Sequence, residues 1–182
     1  KYGHWKDVGI RLQGEAVCEL TRLFLIDFGI NLKTPLRLPA KLYPTSNIKE
    51  NGYVIPFGDG PKPLYTRRVG KTIIQNMLAS ATKYVYITTP YLIPDSETLS
   101  LLKLSSKSGI DIRIIVPHVP DKWYVDAVTK ANYDSLIKSG VRIYEYKYGF
   151  IHAKSVISDD KSAIIGTANF DYRSFYYLFE NL

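Results

Sequence analysis

An α/β sandwich with a largely parallel sheet flanked by helices is the fold class this sequence predicts. Three observations predict it. From residue 53 onward, short β-rich runs alternate with runs of helical spacing. DIRIIVP, residues 111–117, is apolar and β-branched enough for a buried strand. A late pair of strand-like runs around an acidic turn, within FIHAKSVISDDKSAIIGTANFD at 150–171, reads as an antiparallel hairpin added to an otherwise parallel set. With 182 residues, 46% of them hydrophobic, the chain is long enough to bury a real core.

Taken in order, HWKDVGIRLQG at 4–14 alternates apolar and polar side chains and predicts a strand ending at Gly14. EAVCELTRLFLIDFG then carries helical spacing, with Ala16, Leu20, Leu23 and Phe24 on one stripe. Between Asn31 and Asn51 the pattern dissolves around Pro35, Pro39 and Pro44, which predicts a linker over 36–50 dividing residues 1–35 from a main domain over 51–182. YVIPF at 53–57 is β-rich, a Gly/Pro loop follows, and a helix is expected over about 66–82 with Val69, Ile73, Met77 and Ala81 in register. VYIT at 85–88 reads as a strand, SETLSLLKLSSKSG as a helix stopped by Gly109, and DKWYVDAVTKANYDSLIKSG as a single helix ending at Gly140. VRIYEY is the strand before the hairpin.

Composition narrows the classes. The longest apolar runs fall far short of the ~20 residues that a membrane span needs, and no signal-peptide pattern opens the chain. The chain begins at Lys1 and ends at Leu182 just after an apolar stretch, which predicts a soluble region excised from something longer. Its single cysteine, Cys18, excludes an internal disulfide and a cysteine-based zinc site, and its place in an apolar stripe predicts a buried thiol. The net charge of +7 is all N-terminal, with 13 Lys or Arg against 6 Asp or Glu in residues 1–91 and 11 of each in 92–182. Such a surface suits phosphates of nucleic acid or of an anionic membrane, and equally a plain solvated face.

Gly70-Lys71-Thr72 is not a phosphate loop, because the required glycine five residues earlier is Tyr65 and the triplet lies in a helical pattern. His4 and His118 read as surface or structural histidines. The hairpin is different. If Ser158 to Lys161 form its turn, Lys154 falls opposite Ile165 and His152 opposite Thr167. Alternation then turns His152, Lys154 and Val156 to one face, beside the bend from Gly166 to Asn169. The arrangement suits a phosphodiester: Lys154 and the Asn169 amide as phosphate ligands, His152 attacking phosphorus or protonating a departing alkoxide. No metal ligand set is visible. Asp159 lies roughly 17 Å along an extended strand from Lys154, so turn chemistry, with its carboxylate bonding backbone amides, is its expected work. For H-x-K alone, an exposed hairpin with both side chains in solvent is the plainer reading.

His152-x-Lys154-x4-Asp159-x6-Gly166-Thr167-x-Asn169 resembles the His-Lys-Asp signature of the phospholipase D superfamily. HWKDVGIRLQGEAV, VIPFGDGP, TPYLIPD at 89–95 and NFDYRSFY extend the resemblance to the bacterial cardiolipin synthases over nearly the whole chain. The resemblance implies a phospholipase D-like sandwich and a site built from two motifs across a pseudo-twofold axis, one histidine becoming a phosphohistidine and the other serving as acid and base. It implies that His152 is the acid, that Lys154 and Asn169 bind phosphate, and that Glu180 orients the motif histidine. Asp159, Gly166 and Thr167 are then structural members of the motif, and Tyr91 is a substrate contact. Leu178 departs from the pattern, which has asparagine there.

The implied reaction moves a phosphatidyl group between two phosphatidylglycerol molecules and releases glycerol, with no cofactor and no metal. Residues 1–35 resemble the closing strand and helix of a truncated first half, so a missing N-terminal half or a second subunit completes the site. An anionic membrane surface is the other implied partner, nucleic acid is not, and the parent would sit at the cell membrane with its catalytic part in the cytoplasm. The alternative is a single-motif phosphodiesterase or nuclease acting as a homodimer. A non-catalytic lipid- or partner-binding domain is the third reading, against which His152, Lys154, Asn169 and Glu180 stand together.

Overall fold

The computed structural model describes residues 3–32, 34, 36, 39 and 52–182, so the linker expected over 36–50 falls, save for two residues, outside the described ones. In chain order the elements are β1 (His4–Lys6), α1 (Ala16–Leu32), β2 (Gly58–Asp59), α2 (Val69–Ser80), β3 (Tyr84–Thr88), β4 (Leu92–Ile93) and α3 (Ser96–Lys107). There follow β5 (Asp111–Pro117), α4 (Trp123–Ala131), α5 (Tyr133–Ile137), β6 (Arg142–Tyr146), β7 (Gly149–Ile151) and β8 (Ser155–Ser158). The chain closes with β9 (Ser162–Ile165), β10 (Phe170–Asp171), α6 (Tyr172–Tyr176) and β11 (Glu180–Asn181).

The main sheet runs β6-β5-β3-β8-β9. Its β6-β5-β3 block is parallel, and β8 and β9 are antiparallel additions at the β3 edge. Alternation decides its faces. Val85, Ile87, Ile112, Ile114 and Val156 point to one side and are buried with Ile74, Leu78 and Leu102 of α2 and α3, whereas Tyr86, Arg113 and Tyr144 on the other side remain partly exposed. Each such fully buried aliphatic side chain stabilises by about 1.5–3 kcal/mol relative to exposure. Together they form one core under α2 and α3.

Several expectations are corrected. The strand foreseen over 4–14 is paired only at His4–Lys6, because its partner β7 ends at Ile151 and leaves Val8 to Gln13 without a ladder. YVIPF forms no strand, and its end is held instead by reciprocal Phe57–Leu182 backbone bonds of 2.9 Å. Helix α2 rotates the expected Val69-Ile73-Met77-Ala81 stripe, burying Ile74 and Leu78 along with Met77 and leaving Ile73 and Ala81 partly buried against the core. The reason is Lys71, one turn before Ile74, which must face inward to reach Asp95 at 2.7 Å, Glu97 at 2.6 Å and the Tyr176 hydroxyl at 2.8 Å. The single helix expected up to Gly140 is interrupted at Asn132, whose side-chain amide donates to the Leu92 carbonyl at 3.0 Å. In α1, Cys18 is buried as expected, but Leu20 and Phe24 face outward.

The hairpin turn forms at Ser158 to Lys161, with the Lys161 amide donating to the Ser158 carbonyl at 3.0 Å. Asp159 and Asp160 both adopt positive φ, 55° and 57°, and Lys161 is left out of the ladder. Ser155 therefore pairs with Ile165, one residue away from the expected register. The Asp159 carboxylate does bond backbone amides, but those of another strand. It accepts from the amides of Thr82, Lys83 and Tyr84 at 2.7, 2.9 and 2.9 Å and from the Thr82 hydroxyl at 2.9 Å. The Tyr84 and neighbouring amides hold its carboxyl well below the ordinary 3.8.

Because that folded value is depressed, the stabilisation is complete above about pH 4 and is lost as pH falls through the folded value. Asp159→Asn is expected to lower the melting temperature at neutral pH. The gap between variant and parent should close as thermal unfolding, followed by circular dichroism, is repeated from about pH 5 to about pH 2.

Candidate active site

His152 and Lys154 lie between strands, where the chain leaves β7 in one small sheet and enters β8 in the main one. Thr88 at the end of β3 pairs with Ser155, so this crossing sits at the carboxyl end of the parallel block, the usual place for ligands in such sheets. Two glycines permit the crossing. A side chain at Gly149 would come within 2.0 Å of the His4 carbonyl oxygen, so only glycine lets β1 lie against β7. A side chain at Gly166 would come within 2.3 Å of the Asn181 carbonyl oxygen.

The β1–β7 register then selects the histidine's partner. Lys6 pairs with Ile151, so the next residue, Asp7, arrives opposite His152. Asp7 Oδ2 lies 3.0 Å from His152 Nδ1, and the His152 amide donates to the Lys6 carbonyl at 2.7 Å. Burial works against the Asp7 charge, yet bonds from His152 and the Val8 amide outweigh it and hold the carboxyl below its usual value. An ionised carboxylate only accepts, which places the proton on Nδ1 and leaves Nε2 for chemistry. Trp5 flanks the ring, centroids 5.2 Å apart.

Lys154 is 9% exposed, and its ammonium donates to the His152 carbonyl oxygen. Burial pushes its pKa down, opposed by the charges of Asp7 and Glu180. Asn169 follows the Gly166 bend; its backbone N–H donates to the Ser174 hydroxyl at 3.0 Å, and its buried side-chain Oδ1 has no hydrogen-bond partner among the described residues. Thr167 donates its hydroxyl hydrogen to Glu180, receives the Asn181 amide at 3.0 Å and donates its own amide to the Asn181 carbonyl at 3.0 Å.

Glu180 differs from expectation. It makes no hydrogen bond to His152; β11 pairs antiparallel with β2, setting Glu180 opposite Asp59 and its carboxylate on Thr167. Burial raises its pKa, and bonds from Thr167 and Ser174 draw it partly back. Asp7 is the carboxylate that sequence reasoning missed. It stood inside HWKDVGIRLQG, one residue past a run whose pairing partner was not apparent. Tyr91 lies three residues beyond the Thr88 end of β3, its hydroxyl 2.7 Å from Asp121 Oδ2. Asp159, at the far end of the hairpin, is remote from the motif pair, and Leu178 donates its amide to the Arg173 carbonyl at 3.1 Å. Among the described residues no group of three or more His, Cys, Asp or Glu is placed to hold a metal.

The family model described as "Cardiolipin synthase, PLD-like domain" matches residues 74–182. The chain belongs to this phospholipase D-like family. Relatives include a cardiolipin synthase of Halalkalibacterium halodurans, 39% identical over 98% of this chain and 35% of that protein. Another is cardiolipin synthase 1 of Staphylococcus aureus, 36% identical over 99% of this chain and 36% of that protein. The family member described here thus spans little more than a third of these relatives' length. Among solved structures, the phospholipase D family member Nuc from Salmonella typhimurium shares the fold at a TM-score of 0.55 and 20% identity, covering 69% of this chain and 80% of that one.

Removing Asp7 as Asp7→Ala should leave the neutral His152 ring free to move its proton toward Nε2. Long-range proton–nitrogen NMR correlations should show one dominant Nδ1–H tautomer in the parent chain and a mixture in the variant. Gly166→Ala should destabilise by about 1–3 kcal/mol or more in urea unfolding, because the clash is with backbone rather than with a flexible side chain.

Proposed function

We propose that the chain supplies one half of the active site of a phosphatidyltransferase of the cardiolipin synthase type. The observation that carries this reading is the Asp7-held His152 beside the buried Lys154, an oriented imidazole and a cation at one crossing. A missing N-terminal half, or a second subunit, brings the other histidine. Residues 1–35 belong to that half in this reading, which accounts for the outward Phe24 and Phe28 of α1.

In the first step the other histidine's nitrogen attacks the phosphorus of phosphatidylglycerol. A nitrogen–phosphorus bond forms, the bond to the glycerol oxygen breaks, and His152 Nε2–H gives its proton to that oxygen. In the second, the now neutral His152 takes the proton of a second phosphatidylglycerol's hydroxyl, whose oxygen displaces the histidine. Lys154 and the Asn169 side-chain amide hold the nonbridging oxygens, and Asp7 stabilises the His152 imidazolium present before the first proton transfer and formed again in the second step. Glu180, seated on Thr167, shapes the Gly166–Asn169 bend, and Tyr91 lines the approach. Among the described residues no helix is long and apolar enough to cross a membrane; in this reading the parent's other segments hold it at the cell membrane, with the catalytic part in the cytoplasm.

The test uses phosphatidylglycerol labelled in its head-group glycerol, given to the longer protein or to this chain recombined with the first-motif half. Labelled glycerol and a doubly phosphatidylated product should appear together. His152→Ala should cut both by at least about 100-fold, within the range of general acid–base contributions, and Lys154→Ala should do likewise. Phosphodiester cleavage of DNA by this chain alone, with no lipid product in the completed protein, would sink the reading in favour of a homodimeric nuclease.

A further inference from the structure

The chain has two tryptophans, and both are exposed, Trp123 just beyond the carboxyl end of β5 and Trp5 in β1 beside the His152 crossing. Trp123 is 79% exposed and Trp5 49%; Tyr124, its ring edge-on to Trp123, is 55% exposed, and Tyr148, next to Gly149 of β7, is 85% exposed. Tryptophan is a largely buried residue in most folds, so two in solvent on one rim call for a reason. Their common location follows from the topology. Strands β3, β5 and β6 run parallel, with Thr88 level with Ile115 and Pro117 level with Tyr146. The connections that leave those strand ends, carrying Trp123-Tyr124 and Tyr148, therefore emerge at one end of the sheet, where Ser155 pairs with Thr88 and the motif begins. The rim is continuous with the site: Lys122 and Phe150 line one small cleft with Tyr91, the Phe150 ring lies 6.1 Å from His152, and Trp5 touches both rings.

The charges on this edge are sorted. Its acids are engaged: Asp7 with His152, Asp121 with Tyr91, Asp126 with Lys130 and Glu145 with His118. Lys122 and Lys147 are exposed and make no ion pair among the described residues, and Lys122 sits 5.9 Å over the Tyr91 ring. Exposed indole and phenol rings with unpaired lysines are the chemistry of a membrane interface, where the ring bodies enter the head-group region and the cations meet anionic lipid.

We propose that the Trp5, Trp123, Tyr124 and Tyr148 rim, with Lys122 and Lys147, is the surface by which this chain seats on an anionic lipid bilayer, setting the His152 crossing at the level of the lipid phosphates. The proposal rests on the phosphatidyltransferase reading for its purpose, but its test needs no turnover. Trp5→Phe leaves Trp123 as the only tryptophan. On mixing with phosphatidylglycerol vesicles its emission should move to the blue and be quenched by brominated acyl chains, with neither change on phosphatidylcholine vesicles. Lys122→Ala and Lys147→Ala should each weaken sedimentation with phosphatidylglycerol vesicles about fivefold at low salt.

Unchanged Trp123 emission, or lysine variants that sediment as well as the parent, overturns the proposal. So does protection of Trp123 from an aqueous quencher in the lipid-free longer protein, since the rim would then be covered by the other half. Lipid seating in a protein that transfers no phosphatidyl group removes the reaction and leaves the surface standing.

Discussion

One carboxylate fixes the frame on which the rest is hung. By accepting the amides of Thr82, Lys83 and Tyr84, Asp159 ties the tip of the β8–β9 hairpin to the start of the central strand β3. Antiparallel pairing then runs without a free parameter from Val85 opposite Ser158 to Thr88 opposite Ser155. Lys154 must emerge where β3 ends. The acid that contributes nothing to the chemistry by contact thus decides, from the opposite end of a strand, where the chemistry can occur.

From that end a second constraint takes over. The chain between Gly149 and Ser155 belongs to two sheets in turn, and His152 is on neither ladder as a strand residue. Its orientation comes from β1, admitted by the bare Cα of Gly149, and from Asp7 one residue beyond the pairing. The bend at Gly166, held on Asn181 and Glu180, supplies the other wall. Two small sheets far apart in sequence, β1-β7 and β11-β2, therefore flank the motif, and each contributes one carboxylate with a separate task.

Periodic segments were legible in the sequence: SETLSLLKLSSK as a helix, DIRIIVP as a strand, VRIYEY as the strand after a helix. Their signals are local, since burial on one face writes itself into spacing. What was not legible depends on partners. Alternation in HWKDVGIRLQG marks it as fit for a strand, but how far the strand runs depends on the length of β7. The hairpin register missed by one because consecutive positive-φ aspartates expel Lys161 from the ladder, a choice that no period-two pattern records. The pairing of Asp7 with His152, and of Glu180 with Thr167, likewise follows from which strands meet. The apolar stripe of α2 was misplaced by an ion pair, because Lys71 looks like a surface residue until Asp95 and Tyr176 are known to be waiting for it.

Asp7 and His152 are 145 residues apart along the chain. Bringing such distant ends together carries a loop-closure cost that rises only with the logarithm of length, but a lone, half-exposed pair returns little until β1 and β7 already lie side by side. The contacts of the β3, β5 and β8 core close far shorter loops and are free to form first. The order expected on loop length is the imidazole before its carboxylate. A molecule caught between those two events has its whole sheet and core in place, and a histidine with no fixed tautomer.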